Sequence, residues 1–264
     1  MKTRITYSEK GTARYNEDRV GSYRNVAWVI DGATPLFQET YLSEDNDVVW
    51  LVETLHKWLP HFIRDEESLE EILSRTLAHV EQEALGLYPG LRNVAAYALP
   101  TFTVAMVRLS GGRLEYYVLG DAGVLAALPD GVLWMTDDRL EMMSQRVRKE
   151  AVADKPVLLQ AIRQKLNTEE GYWIGSIDGA GIPHGYAGEM KVEPGTRVMC
   201  VSDGYSRLFE LFGWVEAEQL KLDDASVKAT VAKVREIEMA DAEGVRFPRA
   251  KCHDDLSVVL VESE

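Results

Sequence analysis

Cysteine is scarce in this chain: Cys200 and Cys252 are the only two, and they belong to no CxxC or Cys/His spacing. Neither a disulfide scaffold nor a thiolate zinc site is indicated. No apolar run approaches the ~20 residues that cross a bilayer, and the opening segment MKTRITYSEKGTARYNEDR lacks the apolar core of a secretory signal. A cytoplasmic address without membrane contact is therefore expected. Positive charge is also in deficit. Against 43 Asp and Glu stand 29 Lys and Arg, a net charge of −14, which repels nucleic-acid phosphates and anionic lipid alike. No repeat, low-complexity tract or Pro/Ser-rich linker divides the chain. Residues 1–264 are accordingly read as a single domain, with a monomer as the expected state.

What is present is a large apolar fraction, 46% of residues, enough to bury a substantial core. Residues 25–30 read as a short buried strand that delivers Asp31-Gly32 at its end. Two helices should follow. Val48, Leu51, Val52, Leu55, Leu59 and Phe62 recur at helical spacing, and Ser68 with Glu71 forms a capping box ahead of Leu69, Ile72, Leu73, Leu77 and Val80. The middle of the chain alternates β-rich runs with turn glycines (TFTVAMVRL, RLEYYVLGD, GVLAAL, VLWMT), which predicts an antiparallel meander. Residues 138–167 read as helical, on anchors that include Leu140, Met143, Val147, Val157, Leu158, Ile162 and Leu166. A strand-like GYWIG and a glycine-rich loop come next, then a strand TRVMCVSDG that again ends in Asp-Gly. Helices near 205–212 and 225–240 precede the final strand LSVVLV. This order suits an antiparallel sheet core covered by helices.

Four acidic clusters fall at strand ends or turns: Asn16-Glu17-Asp18, Asp31-Gly32, Asp203-Gly204 and Asp254-Asp255. Each taken alone is an ordinary turn or cap. Together, Asp31 and Asp203 terminate apolar strands and Asp254 precedes one, so three carboxylates could converge on one sheet edge. Hard divalent cations take oxygen ligands of this type, and a paired centre can clamp a phosphate and activate water for in-line attack.

The ordered set NEDR, VIDGAT, TFTVAMVRL…YYVLGDAG, VMCVSDG and HDDLSVVLV resembles the successive motifs of the PP2C-type (PPM) metal-dependent serine/threonine phosphatases, in that family's order and over nearly the whole chain. The resemblance implies an α+β fold: a four-layer αββα sandwich in which two antiparallel sheets are flanked by helices. It implies two Mg²⁺ or Mn²⁺ ions, bridged by Asp31, with the carbonyl of Gly32 on one and Asp203 and Asp254 completing the other. Glu17 and Asp18 would order metal-bound water, Asp121 would help hold a third ion, and Arg14 would grip phosphate. The implied reaction is hydrolysis of phosphoserine or phosphothreonine in a phosphorylated protein partner.

The chain also departs from that pattern. Ala33-Thr34-Pro35-Leu36 follows Asp31-Gly32 where the family runs Gly-rich, and proline fixes φ and removes a donor. Ala33 replaces the histidine that many members use as general acid. Gly120-Asp121-Ala122-Gly123 lacks the usual arginine, Arg14 stands four residues before Asp18 where five is usual, and Asp255 stands where the family usually has Asn. Asp178, His184 and His253 lie in loops without an assigned role. These departures keep two other readings open: a PP2C-fold binding module without turnover, and a phosphomonoesterase acting on small molecules.

Overall fold

The computed structural model describes residues 1–33, 39–140, 142–143, 160–249 and 251–264. The loop after Ala33, with Pro35, and the anchors Val147, Val157 and Leu158 lie outside the described residues. The elements are β1 (Lys2–Glu9), β2 (Asp18–Tyr23), β3 (Val26–Ala33), α1 (Asp47–Phe62), α2 (Leu69–Leu87), β4 (Thr101–Ser110), β5 (Arg113–Leu119), β6 (Gly123–Leu128) and β7 (Gly131–Thr136). They continue with β8 (Gly175–Ser176), β9 (Tyr186–Lys191), β10 (Arg197–Val201), α3 (Asp203–Glu210), α4 (Asp224–Ala240) and β11 (Leu256–Glu262).

Two antiparallel sheets result, one in the order β1-β11-β10-β6-β7 and the other β2-β3-β4-β5-β9, with β8 paired to β4. Strand periodicity sorts their side chains into three apolar layers, because successive residues point to opposite faces. In β3, Trp28 and Ile30 pack under α1 and α2 with Leu51, Leu55, Ile72 and Leu73. Their neighbours Ala27 and Val29 face the other sheet, against Val198, Cys200, Val259 and Val261. On the far side Met199, Val201, Val258 and Leu260 pack on Tyr205, Leu208, Val227 and Val234 of α3 and α4. The sequence of layers is helix, sheet, sheet, helix, as the family resemblance implies. Both cysteines are free.

The helices start where their caps dictate. Asn46 Oδ1 accepts from the amides of Val48 and Val49 at 2.8 and 3.1 Å. The Ser68–Glu71 capping box is formed in full, satisfying amides that have no intrahelical acceptor.

Three expectations are corrected. The glycine-punctuated middle is not one meander. β4 and β5 form a hairpin in one sheet, β6 and β7 a hairpin in the other, and the chain crosses between sheets at Gly120-Asp121, where Gly120 takes φ +75°. Periodicity cannot distinguish a hairpin turn from such a crossing, since both need turn residues. The glycine-rich loop after GYWIG runs into β9, which pairs with β5, whereas the strand-like GYWIG gives only Gly175 to the short β8 and Tyr172 to an isolated bridge with Leu166. Strands β1 and β2 were also not evident: β1 is an edge strand, mostly exposed, and has no apolar alternation to announce it.

Candidate functional site

The inward row of β3 runs Ala27, Val29, Asp31, so its last member is a carboxylate where the preceding two are aliphatic. Antiparallel pairing sets Asp18 of β2 directly across from Asp31 and Thr103 of β4 on its other side. Register alone brings the two acids onto one face at one end of the sheet. The opposing sheet supplies the third: Asp203 opens α3 just after β10, and its amide donates to Asp31 Oδ2 at 3.3 Å across 172 residues of sequence.

Glycine makes these approaches possible. A Cβ on Gly32 would lie 2.5 Å from Val48 Cγ1 and 2.7 Å from the Glu17 carbonyl oxygen, which accepts from the Gly32 amide at 3.1 Å. A Cβ on Gly204 would lie 1.9 Å from the carbonyl oxygen of Asp255. Asp255 clasps the N-terminal loop through both oxygens, accepting from the amides of Gly11 and Glu17 at 2.7 Å each. That clasp carries Glu17 and Asp18 to the sheet end.

The electrostatics are those of acids crowded without enough countercharge. Burial, then the charge of Asp255, pushes Asp18 up to about 7. Asp31 is held well above the usual carboxylate range by burial and then by Asp18, Asp203, Asp121 and Asp254. Asp121 behaves likewise through burial and Asp203. Burial and then Asp254 raise Asp203 to about 6, against the pull of Arg207 and Lys251. Asp18 Oδ2 is buried with no hydrogen-bond partner, a state that costs free energy unless a cation or proton arrives.

Asp254 differs. Arg207 Nη2 pairs with its Oδ2, and Lys251 Nζ sits 3.0 Å from its Oδ1. Burial works to raise its pKa, but Arg207 and then Lys251 outweigh that and hold it below the ordinary value. Neither cation was singled out from sequence. The signals were there: Arg207 lies one helical turn beyond Asp203, on the same face, and Lys251 three residues before Asp254.

The remaining candidates fall as follows. Glu17 is buried and accepts from Asn46 Nδ2 at 2.8 Å. Asp121 follows Gly120, whose amide and carbonyl both bond Asp137. Asp137 in turn is gripped by Arg139, Nε to Oδ1 at 2.7 Å, which ties down the turn that lacks its own arginine. Arg14 stands on the surface, its side chain 75% exposed and 3.6 Å from Asp45. Asp178 caps a turn, accepting from the amide of Ala180 at 3.1 Å. His184 stacks on Trp173 with ring centroids 3.3 Å apart.

The donor set around Asp31 fits a hard divalent cation: it is all oxygen, partly desolvated and short of positive charge. The carboxylates are gathered but not closed on a point. Among the described residues no three His, Cys, Asp or Glu side chains stand in a ligating group.

Comparison with known proteins places the architecture. No protein-family model matches the sequence, and no curated protein does. Solved structures do match in shape, and they define a class: the chain has the fold of the PP2C/PPM serine/threonine phosphatases. The serine/threonine phosphatase PstP/Ppp of Mycobacterium tuberculosis is similar over 100% of both chains, with 16% identity and a TM-score of 0.62. The catalytic domain of PstP in complex with two manganese ions matches 98% of this chain and 96% of its own, at 15% identity and TM-score 0.58. PppA, a key regulatory component of T6SS in Pseudomonas aeruginosa, matches 100% of this chain and 99% of its own, at 14% identity and TM-score 0.61. Among the described residues no helix is long and apolar enough to cross a membrane.

Proposed function

We propose that this chain is a divalent-metal-dependent protein phosphatase that hydrolyses phosphoserine and phosphothreonine. The observation that carries the reading is the facing of Asp18 and Asp31 across β2 and β3, with Asp203 bonded to Asp31 from the other sheet. In support, the fold is that of serine/threonine phosphatases, one of which holds two manganese ions.

In this reading Asp31, Asp203 and the carbonyl of Gly32 hold Mg²⁺ or Mn²⁺, while Asp18 and Glu17 orient water towards the phosphoryl group. Asp121 borders the same space and is the candidate for an additional ion. An ion bound there would supply Lewis acidity, polarising the phosphoryl group and making water a better nucleophile. Asn46 and Lys251 fix the Glu17 carboxylate, and the Asp255 clasp fixes its backbone. The substrate is a phosphorylated protein, and residues 1–264 work as one domain and as a cytoplasmic monomer.

Purified protein is expected to hydrolyse p-nitrophenyl phosphate and a phosphothreonine peptide with Mn²⁺ and to stop when chelator is added. Failure on both substrates contradicts the reading. One observation favours a second reading, a PP2C-fold binding module without turnover: Asp254 is already engaged by two cations. Tight Mn²⁺ uptake measured by calorimetry, together with turnover, rejects it.

A further inference from the structure

The cations beside Asp254 are part of a longer arrangement. Charges alternate along a chain of side chains from the edge strand β1 to the acidic cluster. Glu9 Oε1 meets Arg235 Nε at 3.2 Å. Arg235 Nη1 lies 2.7 Å from Glu238 Oε2, and Arg207 Nη1 lies 3.0 Å from Glu238 Oε1. Arg207 then pairs with Asp254, Asp254 with Lys251 at 3.0 Å, and Lys251 reaches Glu17 Oε2 at 3.8 Å.

The centre of this relay is buried. Glu238 has 0% side-chain exposure and Arg207 9%, so the Arg207 guanidinium is anchored from behind rather than laid loosely over the acid. Asp254 has both oxygens engaged, since Oδ1 also accepts from the Asp255 amide at 3.1 Å. By contrast, no ion pair reaches Asp18, Asp31 or Asp121 among the described residues.

We propose that Arg207 and Lys251 take the place of a divalent cation at the Asp254 corner, so that the protein's own two positive charges do there what an ion would do. The centre then takes one metal ion, at Asp31 and its neighbours, where the sequence resemblance implies two. The inference rests on the metal-centre reading above and sharpens it. Arg207 and Lys251, shared with Glu238 and Glu17, bring positive charge to both Asp254 oxygens, and a further ion there would meet their repulsion. To admit it, Arg207 would have to swing its Nη2 away from Asp254, which disturbs the buried pair that its Nη1 makes with Glu238.

The test counts Mn²⁺ bound per chain, by calorimetry and by electron paramagnetic resonance of free Mn²⁺, on the whole protein. Wild-type protein is expected to take up about one ion in the tight class. Asp254→Asn should leave that count unchanged, and Asp31→Asn should abolish it. Removing the resident cations in the triple variant K251M, R207M and E238Q should raise the count towards two, the E238Q change sparing Glu238 an unpaired charge. Two tight ions in wild type, one of them lost in Asp254→Asn, overturn this inference and leave the metal-centre reading intact. No uptake by wild type overturns the metal-centre reading and this inference together. Should the triple variant not fold, as judged by circular dichroism, the Asp254→Asn count decides by itself.

Discussion

Asp31 is the residue on which most of the site depends. It is the end of an otherwise aliphatic inward row, cross-strand partner to Asp18 and acceptor for the amide of Asp203. Replacing its charge while keeping its shape separates chemistry from packing. Asp31→Asn is expected to lower phosphatase turnover by at least ~100-fold, the scale seen on losing one electrostatic group of a reaction centre. The fold should survive, since the substitution also removes repulsion from four neighbouring acids. Steady-state kinetics alongside a thermal melt checks both halves. Glu238 makes the opposite case. It pairs with both Arg207 and Arg235, and Glu238→Ala would leave Arg207 with Asp254 alone and Arg235 with Glu9 alone in a largely buried pocket. The expected cost is about 3–5 kcal/mol, read as a fall in Tm by roughly 10 °C.

At the scale of elements, the site exists because two strand ends and one helix start are held in contact by glycines. Gly204 at the start of α3 is the tightest of these. An added Cβ at 1.9 Å from the Asp255 carbonyl must push α3 away from the segment entering β11. Gly204→Ala is therefore expected to weaken Mn²⁺ affinity at least ~10-fold while leaving helix content by circular dichroism near the wild-type value.

Elements were legible in the sequence where a physical signal was local. The capping box at Ser68 and Glu71 announced α2, and the strand-terminal Asp-Gly pairs announced β3 and β10. The four-layer sandwich was implied by the family resemblance that the motifs carry. What was not legible depended on partners distant in sequence. β1 is recognisable only from its pairing with β11, and the crossing at Gly120-Asp121 only from which sheet receives β6. The countercharges on Asp254 were hidden for a similar reason: Arg207 reads as a helix-surface arginine until Glu238, 31 residues on, is seen behind it.

For the whole molecule, the crowding of acids sets how stability depends on pH. Asp18 and Asp203 have folded pKa values of about 7 and about 6, above the 3.8 of a free aspartate. Between those limits the folded state binds more protons than the unfolded one, so stability falls as pH rises. In chelator, Tm is expected to decline from pH 5 to pH 8. Mn²⁺ should flatten the curve, because a bound cation stabilises only the folded state and suits the ionised acids. Scanning fluorimetry in EDTA and in Mn²⁺ measures this directly. A metal-free Tm that rises over this interval, with no response to Mn²⁺, would mean that the acids are neutralised by other means.

The most direct test of the account is phosphate release from a phosphothreonine peptide by wild-type protein and by Asp31→Asn, each with Mn²⁺ and with EDTA. Release is expected only for wild type with Mn²⁺, and only background in the other three conditions. Equal release by Asp31→Asn, or release that persists in EDTA, would contradict it.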